Sequence, residues 1–293
     1  MTKTAWVFPG QGSQKIGMGV DLAEEPIASA KYEAAEKILG WSVPEICNSE
    51  DDKVSNSLYT QPTLYVVESI LADLMRDRDR QPNLVAGHSL GEYVALYVAG
   101  VFDFETGLKL VLRRAELMST VAGGQMMALI GFNREQLEEQ IEQTADVVLA
   151  NDNSDAQVVI SGTPEAVEAV ASNIKTKRAV KLNVSGAFHS PFMAPAAAEF
   201  QTVLDGVTFA DAGVPVLSNT DPTPTTNGER LKQRLSSQMT GSVRWREIMQ
   251  QFSEQNIETV VEVGPGKVLS NLIKRACSGI SLGQVGTLAN LPE

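Results

Sequence analysis

Short apolar runs alternate with longer amphipathic stretches over the first 120 residues of this chain. Ala5 to Phe8 reads as a strand, followed by the loop Pro9-Gly10-Gln11-Gly12-Ser13-Gln14. Apolar residues at helical spacing predict helices over Ile27 to Leu39 and Gln61 to Arg76. A second strand, Leu84 to Gly87, runs into two more helices, Gly91–Ala99 and Phe104–Val121. Strand and helix in alternation predict a parallel sheet with helices on both faces.

From about residue 126 to 185 the rhythm changes. Met126–Phe132 reads as a strand, and Arg134–Gln143 as a helix capped by Asn133. Val147–Asn151 and Gln157–Ser161 read as strands around the turn-rich Asn151-Asp152-Asn153-Ser154-Asp155. Glu165–Lys175 is a helix opened by Thr163-Pro164, and Ala179–Val184 a closing strand. This β-α-β-β-α-β order is the ferredoxin-like pattern. Gly123-Gly124 and Ser185-Gly186-Ala187 are the expected hinges. They divide the chain into a large α/β domain, residues 1–123 and 190–293, and an inserted ferredoxin-like small domain, residues 124–189. The large domain resumes with a helix over Ala194–Leu204. Strands are expected at Val214–Ser218 and Thr259–Val263, with Asp221–Gly228 as a surface loop.

Composition narrows the classes. At 293 residues, 43% hydrophobic and 20% charged, the chain can bury a large core of ordinary globular type. No apolar run approaches the ~20 residues that span a bilayer, and the chain starts almost directly with a strand, so neither a membrane anchor nor a signal peptide is expected. Cys47 and Cys277 supply no disulfide framework and fit a reducing compartment. Two histidines and no clustered cysteines make a metal site unexpected. A formal charge of −12 argues against a nucleic-acid partner. Small anions need only a local cluster of cations or N–H groups.

The candidate chemistry sits at Leu84-Val85-Ala86-Gly87-His88-Ser89-Leu90-Gly91. Gly-x-Ser-x-Gly between a strand and a helix is the pattern of a nucleophile elbow, with Ser89 exposed at its apex and a helix N-terminus behind it to favour an oxyanion. A serine needs a general base, and histidine is the usual one. His88 adjoins Ser89 and should point elsewhere, which leaves His189 in Gly186-Ala187-Phe188-His189-Ser190-Pro191. Read alone, the loop around Gln11 is either a generic turn or an anion cradle. Arg113 and Arg114 lie about 100° apart on a helix, so at most one faces a pocket.

Four motifs in order carry a family resemblance. They are Phe8-Pro9-Gly10-Gln11-Gly12-Ser13-Gln14, Gly87-His88-Ser89-Leu90-Gly91-Glu92, Gly186-Ala187-Phe188-His189-Ser190-Pro191 and Glu262-Val263-Gly264-Pro265-Gly266-Lys267. Across nearly its whole length the chain resembles the malonyl-CoA:acyl carrier protein transacylases of type II fatty acid synthesis. The resemblance implies a hydrolase-like large domain, a malonyl ester on Ser89 and proton transfer by His189. It also implies an oxyanion hole from the N–H groups of Gln11 and Leu90, and Arg114 as the clamp for the malonyl carboxylate. Gln61 and Asn153 match pocket positions, Phe188 would narrow the pocket beside the α-carbon, and Gln238 aligns with a residue near the carbonyl that orients the histidine. Malonyl-CoA and holo acyl carrier protein are the implied partners. Coenzyme A and phosphopantetheine would arrive as substrate parts and no separate cofactor is expected. The expected protein is a monomer of the cytoplasm, or of a plastid stroma after loss of a transit peptide.

Other readings remain. A polyketide extender-loading acyltransferase shares motifs and substrate. A serine thioesterase would place an acid and then a histidine late in the chain, whereas the last histidine here is His189. A silent binding module has no need of Ser89, His189, Arg114 and Gln11 together. For docking an acidic carrier protein, Arg178, Lys181, Lys267, Lys274 and Arg275 are the candidate basic rim.

Overall fold

In β1 (Thr4–Phe8) and β2 (Leu84–Gly87) successive side chains enter two different cores. Trp6, Phe8 and Val85 belong to one, and Ala5, Val7, Leu84 and Ala86 to the other. That period of two is intrinsic to a strand, and with both faces apolar the sheet must be covered twice. The computed structural model describes residues 2–184 and 186–292; Ser185, in one expected hinge, lies outside them. β1 is central, paired in parallel with β2 and with β8 (Thr259–Val263). With β7 (Val216–Leu217) and β9 (Ser281–Val285) the five-stranded parallel sheet has the order β7-β2-β1-β8-β9.

One face of this sheet is covered by α1 (Pro26–Leu39), α2 (Val43–Cys47), α3 (Ser57–Asp77), α4 (Gly91–Val98) and α5 (Phe104–Thr120). α8 (Ala194–Asp205) and α9 (Gly228–Ser236) extend that layer. On the other face, α10 (Trp245–Glu254) and α11 (Val268–Ala276) bring Trp245, Ile248, Phe252, Leu269 and Ile273 onto Ala5, Val7 and Ala86. α3 is buried along nearly its whole length, from Thr60 to Met75, so it reads as a central helix rather than an amphipathic one.

The second sheet is antiparallel, order β4-β5-β3-β6, built from β3 (Gln125–Phe132), β4 (Val147–Ser154), β5 (Gln157–Gly162) and β6 (Thr176–Lys181). α6 (Arg134–Gln143) and α7 (Pro164–Asn173) cover one face, meeting Met127, Leu129, Val158 and Ile160. Both helices start at a side-chain cap: Asn133 accepts from the Gln136 N–H at 2.9 Å and Thr163 from that of Ala166 at 3.3 Å. Met126, Ala128 and Val159 point the other way, into the core of the large sheet. The chain leaves for this sheet and returns from it by adjacent paths. A Cβ on Gly124 would fall 2.2 Å from the Ala187 nitrogen, and one on Gly186 2.7 Å from the Val121 carbonyl oxygen.

Several expectations are corrected. The segment Asn151–Ser154 is strand, and the turn shrinks to Asp155-Ala156. Asp152 has partners that local sequence does not show: its N–H donates to the Val243 carbonyl at 2.9 Å, and its carboxylate pairs with Arg134 at 2.8 Å and Arg246 at 2.9 Å. β6 occupies Thr176–Lys181, not Ala179–Val184. Pairing with β3, from Phe132↔Thr176 to Met127↔Lys181, sets its span, while apolar Leu182 and Val184 leave the sheet. β7 keeps only Val216 and Leu217 of the expected Val214–Ser218. α2, α9, α10, α11 and β9 were not anticipated. Among the described residues no helix is long and apolar enough to cross a membrane.

Candidate active site

β1 and β2 are neighbours and parallel, so the loops at their carboxyl ends lie side by side. One loop carries Gln11 and the other Ser89. They touch: a Cβ on Gly10 would fall 2.4 Å from the His88 carbonyl oxygen, and one on Gly91 2.0 Å from that of Phe8. Gly87 is equally confined, its Cβ position falling 1.9 Å from the Gly91 backbone. The elbow glycines therefore serve close approach, while the backbone strain rests on Ser89 itself at φ 52°. His189 is also left-handed, at φ 56°. A non-glycine residue held in such a region costs roughly 1–3 kcal/mol and persists only where the surroundings enforce it.

Ser89 Oγ lies 2.8 Å from His189 Nε2. The other ring nitrogen, Nδ1, is 2.9 Å from the Gln238 carbonyl oxygen and 3.2 Å from that of Gly241. A carbonyl only accepts, so Nδ1 carries the proton and the lone pair of Nε2 faces the serine hydroxyl. Burial, with the nearby Arg114 cation second, lowers the His189 pKa to about 3, so the imidazole is neutral at ordinary pH.

Of the two adjacent arginines, Arg114 is the one drawn inside, 1% exposed. Arg113 stays outside and pairs with Glu116 and Glu199. The Arg114 guanidinium donates to Ser89 Oγ at 3.0 Å, to Gln238 Oε1 at 3.2 Å and to Gln61 Oε1. Burial lowers its pKa, with Tyr93 and Glu92 opposing that shift.

The cleft is about 80 Å³ and is lined by Gln11, Ser89, Leu90, Arg114, Phe188 and His189, with Met118, Met126, Leu182 and Val184 as apolar walls. A larger surface groove of about 570 Å³, along Trp6, Gln81, Val261 and Gln284, holds none of these groups. The backbone N–H groups of Gln11 and Leu90 donate to no backbone carbonyl among the described residues. Gln61 stands behind Arg114. Asn153 is not in the lining: its Oδ1 accepts from His88 Nε2 at 2.8 Å, and the His88 ring packs 5.5 Å from that of Trp245. The basic residues split into two sets. Lys267 and Lys274 line a groove against Leu282 and Gln284, whereas Arg178 and Lys181 lie on β6, just before Leu182 and Val184 in the cleft wall.

Two further buried residues support this site: Asn219, which no sequence motif marks, and Glu92, which the elbow motif contains without assigning it a role. Asn219 Oδ1 accepts from the Ser89 N–H at 2.7 Å and its Nδ2 donates to the Gly87 carbonyl at 2.6 Å, bracketing the elbow. No local pattern announces a contact across 130 residues.

Residues 5–290 match the model of the acyl transferase domain. The chain belongs to the acyl transferase family. A relative in this acyl transferase family, the Synechocystis sp. malonyl CoA-acyl carrier protein transacylase, is 57% identical over 99% of both chains. The crystal structure of a Synechocystis malonyl-CoA:ACP transacylase superposes with a TM-score of 0.98, at 57% identity and 99% coverage of each chain. A malonyl-transacylase solved in complex with its type II PKS acyl-carrier protein gives a TM-score of 0.93 at 34% identity, covering 99% of this chain and 98% of that one.

Proposed function

We propose that this acyl transferase moves a malonyl group from malonyl-CoA to the phosphopantetheine thiol of holo acyl carrier protein, through an ester on Ser89. The observation that carries the reading is the convergence of Ser89, neutral His189 and buried Arg114 in one small cleft. His189 Nε2 takes the proton from Ser89 Oγ as that oxygen attacks the thioester carbonyl. The oxyanion is received by the N–H groups of Gln11 and Leu90, each such donor being worth about 3–4 kcal/mol. Collapse expels the coenzyme A thiolate, which leaves with the proton from His189. The carrier thiol then loses its proton to His189 and attacks the ester, and Ser89 departs as it is reprotonated. Arg114 holds the free carboxylate of the acyl group throughout, a task suited to its planar fork of donors. Phe188, beside His189, restricts space at the α-carbon. In this reading the small domain is residues 124–189, and Arg178 and Lys181 on β6 are the basic groups that meet the acidic carrier.

Intact mass after brief mixing with malonyl-CoA tests the proposal. One malonyl adduct is expected, discharged by holo carrier protein with stoichiometric malonyl carrier formed. Release of free malonate as fast as coenzyme A would instead make the protein a hydrolase.

The pH profile gives a second expectation. With its pKa near 3, His189 is already a base across the range where a free histidine protonates, around 6.5. The acid limb of kcat/KM, which reports the free enzyme, should therefore fall well below pH 6. Once malonyl neutralises Arg114, one cause of the depression is offset, so the limb of kcat should lie higher. A kcat/KM limb at 6.5 would mean that burial and Arg114 leave the His189 imidazole at its ordinary pKa in the free enzyme.

A further inference from the structure

One buried acid behind the cleft takes no part in that transfer. Glu92, in the first turn of α4, is fully enclosed. Its Oε2 accepts from Gln238 Nε2 at 2.7 Å and from the Asn219 N–H at 3.2 Å. Gln238 in turn touches Ser89, Arg114 and His189. Its Nε2 also donates to the Ser89 carbonyl at 2.9 Å, its Oε1 accepts from Arg114 at 3.2 Å, and its backbone oxygen accepts from His189 at 2.9 Å. A side-chain amide by itself can present either end. A carboxylate that only accepts selects the nitrogen end, and so turns Oε1 toward the guanidinium.

We propose that Glu92 is a positioning residue for the transfer reaction, its Oε2 locking Gln238 and Asn219 so that the His189 acceptor, the Arg114 clamp and the Ser89 elbow share one fixed frame. In a Ser-His-Asp triad the acid bonds the imidazole directly. Here a backbone carbonyl does so, and the acid holds the segment bearing that carbonyl. Asn219 extends the frame, since the same residue whose N–H rests on Glu92 brackets Ser89 with its side chain. Burial raises the Glu92 pKa, while hydrogen bonds from Gln238 and Asn219 pull it back. The positioning role needs only an acceptor at Oε2.

The inference rests on the malonyl-transfer reading, and wild-type protein in the same experiment keeps the two apart. Ser89 acylation would be timed by quenched mixing and mass for wild type, Glu92→Ala, Glu92→Asp and Glu92→Gln, with malonyl-CoA and acetyl-CoA, alongside an unfolding midpoint for each. A displacement of about 1 Å at a reacting group can cost on the order of 100-fold, and Glu92→Ala is expected to slow malonylation by about that factor. The malonyl-to-acetyl ratio should also fall several-fold, because Arg114 loses a fixed partner. Glu92→Asp, which keeps the charge but withdraws the oxygens, should move the same way. Glu92→Gln, whose amide oxygen can accept both N–H groups, should come back to within roughly five-fold of wild type, since it keeps the frame. Wild-type rate and preference in Glu92→Asp, or a Glu92→Gln no better than Glu92→Asp, would overturn the inference even if Glu92→Ala does not fold. Absence of any adduct on wild type would strike at the malonyl-transfer reading instead.

Discussion

Ser89→Ala is expected to take up no malonyl group and to transfer none to carrier protein, with turnover down on the order of 10⁴-fold or more. The alanine leaves the cleft almost unaltered in volume. It removes only the Oγ that sits 2.8 Å from His189 and accepts from Arg114. Direct attack of the carrier thiol on malonyl-CoA would then be the sole remaining route. His189→Ala should lose nearly as much, because without Nε2 the hydroxyl keeps its proton at neutral pH. The double variant should be no worse than Ser89→Ala, since residues acting as one unit are non-additive. Adduct mass and carrier malonylation, measured on all three, check this. A Ser89→Ala protein that still carries malonyl on another residue would displace Ser89 from the role of nucleophile.

Arg114→Ala should lower kcat/KM for malonyl-CoA by about 10²–10³-fold while changing that for acetyl-CoA far less. Truncating one partner of a buried charge pair costs about 2–5 kcal/mol, and the middle of that span, roughly 3–4 kcal/mol, corresponds to this loss. Acetyl has no free carboxylate for Arg114 to hold, so the preference for malonyl should collapse. Some loss will be common to both substrates, because Gln61 and Gln238 are left with oxygens that no longer receive a donor. Arg114→Lys should recover only part of the preference, a point charge replacing a planar fork. Parallel losses for the two thioesters would mean that Arg114 supports the cleft without reading the acyl group.

Much of the frame was legible in the chain. β2 and the elbow follow from an apolar run broken by Gly-x-Ser-x-Gly, and the helix over Arg134–Gln143 from its asparagine cap. The choice between Arg113 and Arg114 was settled in the sequence by family resemblance alone, and in the structure by burial. α10 carries a local signal of its own, since Trp245, Ile248, Met249 and Phe252 recur at helical spacing. The end of β4 and the span of β6 carried no such signal. Both are fixed by pairing, the end of β4 by β5 with a bridge to Val243 and β6 by β3, against a local composition that reads as turn in one case and as exposed charge in the other. The contact between Asn219 and Glu92, the last residue of the elbow motif, is beyond local reach for a related reason. They lie 127 residues apart and only the fold joins them.

The central place of β1 has a consequence during synthesis. One edge of this strand pairs with β2 early, but the other must wait for β8, whose first residue, Thr259, follows it by most of the chain. At 5–20 residues per second that interval is on the order of ten seconds or more, during which an apolar strand edge has no native neighbour. The second sheet, whose strands are all close in sequence, can be complete before then. Nascent chains released short of Thr259 should therefore hold a folded middle and an unclosed, aggregation-prone sheet around it.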